Sequence, residues 1–368
     1  MRFLSSALRA QIVKELLSVW RDPRVRLILV VPPILQLFVF SFAATLEIRR
    51  VDLAVHDRDG GKWSHELLAR FASASFVRDV HTVQSPEQLR DLIDRRIAIA
   101  GIEIPEDFSR DVEAGREAVA QVIVDGRRSN GGQVALGYMS AIAQSVSAEV
   151  SVAPVGESAA VRHWFNPNLT YRWFVVPSLP AILVGLISLL LTALSIARER
   201  EMGTFDQLLV SPTTPFEIIV AKIVPALCVG TALLTVMVGV AVFGFRIPFT
   251  GSFLMLLGSA IFYVLSIVGI GLMISSICVT QQQAILGTFA VGVPLILISG
   301  FATPVDNMPL VLRWLAQADP IKHFLIIIQG TFLKAMPASD ILANLWPIAV
   351  IAVVTLSAAT VVVRRNLQ

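Results

Sequence analysis

The chain has 368 residues, 55% of them hydrophobic and 15% charged, with a net charge of +3 and a mean hydropathy of +0.71. A soluble globular domain carries about 25% charged residues, so this balance excludes a large soluble core and points to a chain built for a bilayer. The positive excess lies beside apolar segments rather than among aromatics, which gives no ground for a nucleic-acid partner. Cys228 and Cys278 both lie in apolar stretches, so neither a disulfide framework nor metal-ligand spacing is present in the sequence.

Residues 1–24 repeat Leu4, Leu8, Ile12, Leu16 and Trp20 every fourth position, with Arg9, Lys14 and Arg21 among the polar positions. That is a basic amphipathic helix suited to a membrane interface, or to packing against other cytoplasmic protein. Pro23 ends it. Residues 25–46 form the first apolar run. "SFAATL" offers small residues for a cleavage site, but the run is longer than a signal-peptide core, so a retained anchor is expected.

Residues 47–172 hold more than half of the charged residues. "VDLAVHD", "IAIAGIEIP" and "AVAQVIVDG" alternate like strands. "GGKWSHELLARFAS", "EDFSRDVEAG" and residues 130–150 have helical spacing, so a small α/β domain is expected.

Apolar runs of about 20 residues then recur at 174–197, 223–245, 252–277, 284–301 and 341–363. With the first run they predict six transmembrane helices, with Gln281, Gln282 and Gln283 at the polar turn between the fourth and fifth. Residues 302–338 are apolar but broken by Asp319 and Pro320, so they read as short helices rather than a clean span. Lys and Arg gather before the first span, between the second and third, and after the sixth. The positive-inside rule then places both termini in the cytoplasm and 47–172 outside it.

No GxxxxGK[ST] phosphate loop occurs, so the chain does not cradle ATP by itself. No His, Asp, Glu, Lys or Arg lies in the middle of a predicted span, which weakens a proton-coupled carrier and leaves a passive pore or a carrier driven by another chain. The densest alternating charge, Arg198, Glu199, Arg200 and Glu201, falls between the second and third spans. Placing it in hydrocarbon would cost on the order of 10 kcal/mol. Gly203 ends the helix before it. Thr204 with Gln207 fits a capping box for a short helix whose apolar face is Phe205, Leu208 and Leu209, and Pro212 stops it. Thr214, Pro215 and Glu217 start the next helix. Such a loop suits a docking element or a helix lying on the lipid, and Arg198 and Arg200 also serve as positive-inside anchors.

"SIARERE", "MGTFDQLLVSP" and "IIVAK", with "RDPR", "IPEDFSRDV", "WFNPNLTYRWFVVPSL", "ISSICVTQQQA", "SGFATPVDNMP", "ADPIKHFL" and "GTFLK", resemble in order and spacing the membrane subunits of the second class of ATP-binding-cassette (ABC) exporters, of type V fold. The likeness covers almost the whole chain and points to bacterial multidrug-export permeases with a large outer domain. It implies an inner-membrane subunit that pairs with an identical or paralogous permease and is powered by a separate ATPase. ATP and magnesium would sit on that partner, with no cofactor in this chain. The resemblance assigns ATPase docking to Arg198, Glu199, Arg200, Glu201, Gly203, Thr204, Phe205, Gln207, Leu208, Leu209, Ser211 and Pro212 within a coupling loop at 198–222, aided by Arg9, Lys14 and Arg21. It assigns an outer re-entrant gate to Pro304, Asn307, Met308, Pro309 and Pro320. The second and fifth spans would line the path of a hydrophobic or amphipathic substrate such as a drug. The outer domain would meet a periplasmic adaptor of the membrane-fusion type or only stiffen the dimer. A membrane sensor whose outer domain binds a ligand is the reading of a different class.

Overall fold

The computed structural model describes residues 6–43, 51–125, 129–150, 165–166, 170–204 and 214–366. The chain divides into a helical unit, Met1–Ala44 with Arg172–Gln368, and an α/β unit, Thr45–Tyr171. The helical unit begins with α1 (Ser6–Arg21) and α2 (Pro23–Ala43). The α/β unit follows as β1 (Val51–Asp57), α3 (Lys62–Ser73), β2 (Val77–Thr82), α4 (Pro86–Asp94), β3 (Ala98–Ile104), α5 (Phe108–Glu113), β4 (Gln121–Val124) and α6 (Ser129–Val150). The chain then returns to the helical unit with α7 (Arg172–Glu201), α8 (Pro215–Gly239), α9 (Phe253–Ile277), α10 (Gln281–Ile298), α11 (Leu310–Gln317), α12 (Pro320–Leu333) and α13 (Ala338–Asn366).

Among the described residues, α7, α8 with its extension, α9, α10 and α13 are each long and apolar enough to cross a membrane. The first predicted span differs in form. Leu8–Arg21 and Arg26–Phe42 meet at 62°, and they make a sixth span only if the bent pair is counted as one. Pro23, at the first position of α2, explains the break, because proline lacks the N–H that would continue α1. The three glutamines are not in a turn. Thr280 caps α10, accepting from the Gln283 amide, so Gln281, Gln282 and Gln283 form its first turn. A short π-helical turn, Val240–Gly244, extends α8.

α7 is the hub of the helical unit. In its most apolar stretch 72% of residues are buried, against 17% in α10 and 22% in α13. Small residues let the neighbours close on it. A Cβ at Gly271 of α9 would collide with the Thr192 hydroxyl, and one at Gly185 with the Tyr263 hydroxyl. Without a hydrophobic drive between helices in lipid, such close backbone packing and shared hydrogen bonds hold the bundle. Tyr263 supplies one of these bonds, donating to the Ala181 carbonyl at 2.7 Å while its ring stacks on Phe324 at 4.3 Å. After α10 comes a 3-10 turn, Val305–Asn307, and then α11 and α12. Asp319 caps α12 by accepting from the Ile321 amide at 2.9 Å, with Pro320 as its first residue.

In the α/β unit the sheet order is β2-β1-β3-β4, parallel except for β4, which runs antiparallel to β3. Successive side chains of a strand point to opposite faces. Leu53, Val55, Ile102 and Ile104 therefore pack with Leu67 and Phe71 of α3 on one face, while Ala54 and Ala98 pack with Leu89 and Ile93 of α4 on the other. The two crossovers lie on opposite faces, so the strand order reverses at β1, as in a doubly wound sheet. β2 and α4 complete a unit of which the sequence pattern showed the other elements.

Candidate functional site

The site is built where the end of α7 meets α1 and the early turns of α8. α7 continues past its apolar stretch to Glu201 and closes in a Schellman turn. Gly203 has a φ of 68°, its amide bonds to the Arg200 carbonyl at 3.0 Å, and the Thr204 amide bonds to the Glu199 carbonyl at 2.9 Å. α8 opens with the capping box predicted from Thr214 and Glu217, with Pro215 as its first residue. α1 packs against both α2 and α8 and brings Lys14 and Glu15 to the end of α7.

Glu199 is the centre. Its Oε1 lies 2.9 Å from Lys14 Nζ and its Oε2 2.9 Å from Lys222 Nζ. The Lys222 ammonium also reaches Glu15 Oε1 at 3.2 Å and donates to Ser195 Oγ at 3.0 Å. The Lys222 side chain is only 2% exposed and that of Glu199 10%. Isolated ions at such burial would be prohibitively costly, and each is instead held by an opposite charge. The cluster thus ties α1, α7 and α8 together.

The other three charges reach the link between α9 and α10 and the start of α10. Arg200 donates to the carbonyls of Ser276 at 2.8 Å and Cys278 at 3.4 Å. Arg198 Nε reaches Gln281 Oε1 at 3.3 Å, and Glu201 accepts from the Gln281 amide at 2.7 Å. One side of the alternating run therefore holds α1 and α8, and the other holds the start of α10. Beside the cluster a cleft of about 780 Å³ opens among α1, α2, α7, α8 and α10.

The structure brings together Lys14, Arg198, Glu199, Arg200, Glu201, Gly203 and Thr204 of the sequence-predicted docking set. Arg9 and Arg21 stay on the exposed side of α1. Phe205, Gln207, Leu208, Leu209, Ser211 and Pro212 lie outside the described residues. Pro304, Asn307, Met308 and Pro309 border the 3-10 turn, where Arg313 Nε donates to the Met308 carbonyl at 2.9 Å, and Pro320 starts α12. None of these residues joins the charge cluster.

Sequence reasoning placed Lys222 at the end of a loop and Gln281 only in a turn, and gave no role to Glu15 or Ser195. α8 starts at Pro215, so Lys222 sits well inside that helix. The signal was available. Ile218, Ala221, Lys222 and Ala226 are all buried, at helical spacing i, i+3, i+4 and i+8, which puts the lysine on the inward stripe.

Residues 24–361 match the ABC-2 family transporter protein family. The chain is 43% identical over 358 residues to the probable multidrug ABC transporter permease YbhR of Escherichia coli strain K12, covering 96% of this chain and 97% of the relative. It is 29% identical to the probable multidrug ABC transporter permease YbhS of the same strain, over 88% of both chains. It is 31% identical to the inner membrane transport permease YhhJ, also of that strain, over 80% of this chain and 83% of the relative. With its long apolar helices and a family match spanning nearly its whole length, the chain is a multi-pass membrane permease that belongs to the ABC-2 family of transporter proteins.

Proposed function

We propose that the chain is the membrane subunit of an ATP-driven exporter that moves a hydrophobic or amphipathic compound, of the drug class, out of the cytoplasm or inner leaflet. A separate ABC ATPase subunit binds ATP and magnesium and docks on residues 198–212 and on α1. A second permease, identical or paralogous, completes the path. Both termini lie in the cytoplasm of a bacterial cell, and the chain sits in the inner membrane. The α/β unit lies in the periplasm, where it meets an adaptor of the membrane-fusion type, and the segment with Pro304, Asn307, Met308, Pro309 and Pro320 closes the outer end.

The observation that carries this reading is the Lys14–Glu199–Lys222–Glu15 cluster, with Arg198, Arg200 and Glu201 on its far side. A transporter driven from outside its own chain needs a stiff element that receives a push at one helix end and shares it among several. Buried, paired charges at the end of the most central helix suit that task. ATP binding displaces the loop after Gly203, and the displacement passes through Glu199 to α1 and α8 and through Arg200 to the α9–α10 link.

A ligand-sensing role for the α/β unit draws on its doubly wound sheet, because such sheets bind ligands outside the carboxyl ends of their strands where the order reverses. At that place the Asp59 carboxylate accepts from the amides of Gly61 and Ser109, both at 3.0 Å, and from the Ser109 hydroxyl. The chain's own side chains thus occupy the N-terminus of α3, which favours a structural role for the unit.

The test is co-purification in mild detergent with the candidate ATPase, with turnover read in the same samples. Wild type is expected to retain the ATPase, and Gly203→Pro, which cannot adopt a φ of 68°, is expected to lose it or uncouple it. Failure to associate with any ABC ATPase would overturn the proposal.

A further inference from the structure

Asp319 differs from the acids of the charge cluster. It is 0% exposed, and no Lys or Arg among the described residues pairs with it. Its Oδ1 accepts from the Ile321 amide at 2.9 Å. Its Oδ2 is also buried and has no hydrogen-bond partner among the described residues. Capping α12 does not call for this, because Ser, Thr or Asn caps a helix without bringing a charge into a buried place. Asp319 precedes α12, which at 14 residues is a short apolar helix rather than a span. A search of the spans for ionisable groups therefore passes it by.

The elements packed against α12 bring it little charge. From α9 comes Tyr263, whose hydroxyl is already given to the Ala181 carbonyl. α10 has no titratable residue. On α7 the ionisable residues lie only at the two ends, and Arg172 sits over the Phe42 ring. On α11, Arg313 donates to the carbonyls of Met308 and Asp306. On α13, Asp340 pairs with Lys334, and Arg364 and Arg365 are at the far end. Within α12, Lys322 donates to Gln317 Oε1 at 2.6 Å, and His323 has its Nε2 3.0 Å from the Gln317 carbonyl. A carboxylate left this dry and unpaired takes up a proton rather than stay ionised. Burial pushes the Asp319 carboxyl up to about 7, against the Ile321 and Lys322 amides and the Lys322 ammonium, which favour the anion.

We propose that Asp319 is a proton-binding site, loaded on Oδ2 while α12 is packed against α9 and emptied when water reaches the start of α12. On release the O–H bond breaks and the proton passes to water. The carboxylate stays on the Ile321 amide at the N-terminus of α12, where the helix dipole favours it. One consequence rests on the exporter reading above, in which this segment closes the outer end. Only the hydrated form gives up the proton, so opening becomes easier as the outside turns alkaline and harder as it turns acid.

The experiment is infrared spectroscopy of the full chain in detergent, wild type against Asp319→Asn, titrated from about pH 4 to about pH 9. Asparagine caps a helix as well as aspartate and carries no charge. The expected result is a protonated-carboxyl C=O band, in wild type minus variant, that persists at about pH 6, where ordinary carboxylates are ionised, and fades with a midpoint of about 7. A plain helix cap is an anion at that pH, so no band there would overturn the proposal. Melting temperature gives a second reading. With the folded value raised above the unfolded one, about 3.9, folding takes up a proton, and stability present below about pH 4 declines as pH rises toward the folded value. Wild type should therefore lose melting temperature relative to Asp319→Asn between about pH 5 and about pH 8, and parallel curves would also overturn the proposal. If Asp319→Asn does not fold, carbon-13 NMR of wild type labelled at its aspartate carboxyls decides. One aspartate titrating about three units above the ordinary range is expected, and all of them within that range would overturn the proposal. Neither reading needs the ATPase. A proton at Asp319 together with failed ATPase association would sink the exporter reading and leave the proton site standing.

Discussion

In the α/β unit Arg58 pairs with Glu106 and Arg95 with Asp91, through side chains 48% to 68% exposed. In the helical unit Lys222, at 2%, pairs with Glu199 and Glu15. The chemistry is the same and the solvent differs. Water already satisfies each exposed ion, so the pair adds little. At the end of α7 each charge has only its partners, so the cluster must be kept whole, although replacing it with apolar groups often leaves a protein as stable or more so. A buried cluster is thus a poor way to gain stability. It does fix how the end of α7 meets α1 and α8.

The sharpest way to break this contrast is Lys222→Met. It leaves Glu199 and Glu15 without their shared buried cation and should cost on the order of 3–5 kcal/mol. The measurement is the melting temperature of the detergent-purified chain. The double variant Lys222→Met with Glu199→Gln should recover most of the loss, and a double variant as unstable as the single would show that the pairing is not what matters. Next comes an exposed polar contact at a helix start. Thr214→Ala removes the side chain that accepts from the Glu217 amide and should cost about 1 kcal/mol. Hydrogen exchange should then rise in the first turn of α8 and not elsewhere.

The α/β unit gives a pH-dependent test. Arg78 binds Asp52 through two hydrogen bonds, and its bonds and charge hold the Asp52 carboxyl below the usual carboxylate range. A depressed folded-state value means the stabilisation is present above the unfolded value, about 3.9, and is lost as pH falls through the folded one. Calorimetry of the full chain should show the α/β transition weakening below about pH 4 in wild type, with that acid-dependent component missing in Asp52→Asn. The smallest effect is expected from Arg58→Ala, within about 1 kcal/mol. A larger change in melting temperature would mean that exposure alone does not explain the contrast between the units.

Much of this was legible because it is local. Apolar runs marked α7, α8, α9, α10 and α13, since hydrocarbon admits little else. Thr214, Pro215 and Glu217 marked the start of α8, and Gly203 the end of α7, because caps are made by neighbours in sequence. α4 carried the same kind of mark, Ser85 accepting from the Gln88 amide with Pro86 as its first residue, and was overlooked, whereas β2 carried none. "VRDVHT" buries no residue fully, and α4 is only 9 residues long. The hydrophobic signal of β2 is faint until β1 gives it something to cover, whereas Leu89 and Ile93 of α4 already stand one turn apart on one face.

From the sequence alone follow the membrane class, the places of the long helices and the position of the charged run outside hydrocarbon, because each depends on the free energy of a stretch against its solvent. Only the tertiary structure decided which charge faces which partner. Lys222 meets Glu15 across 207 positions, and Arg200 meets Ser276 across 76. Composition constrains where a charge must not lie. Which opposite charge it finds depends on how helices far apart in sequence are packed, and that is set by fits such as Gly271 against Thr192 and Gly185 against Tyr263.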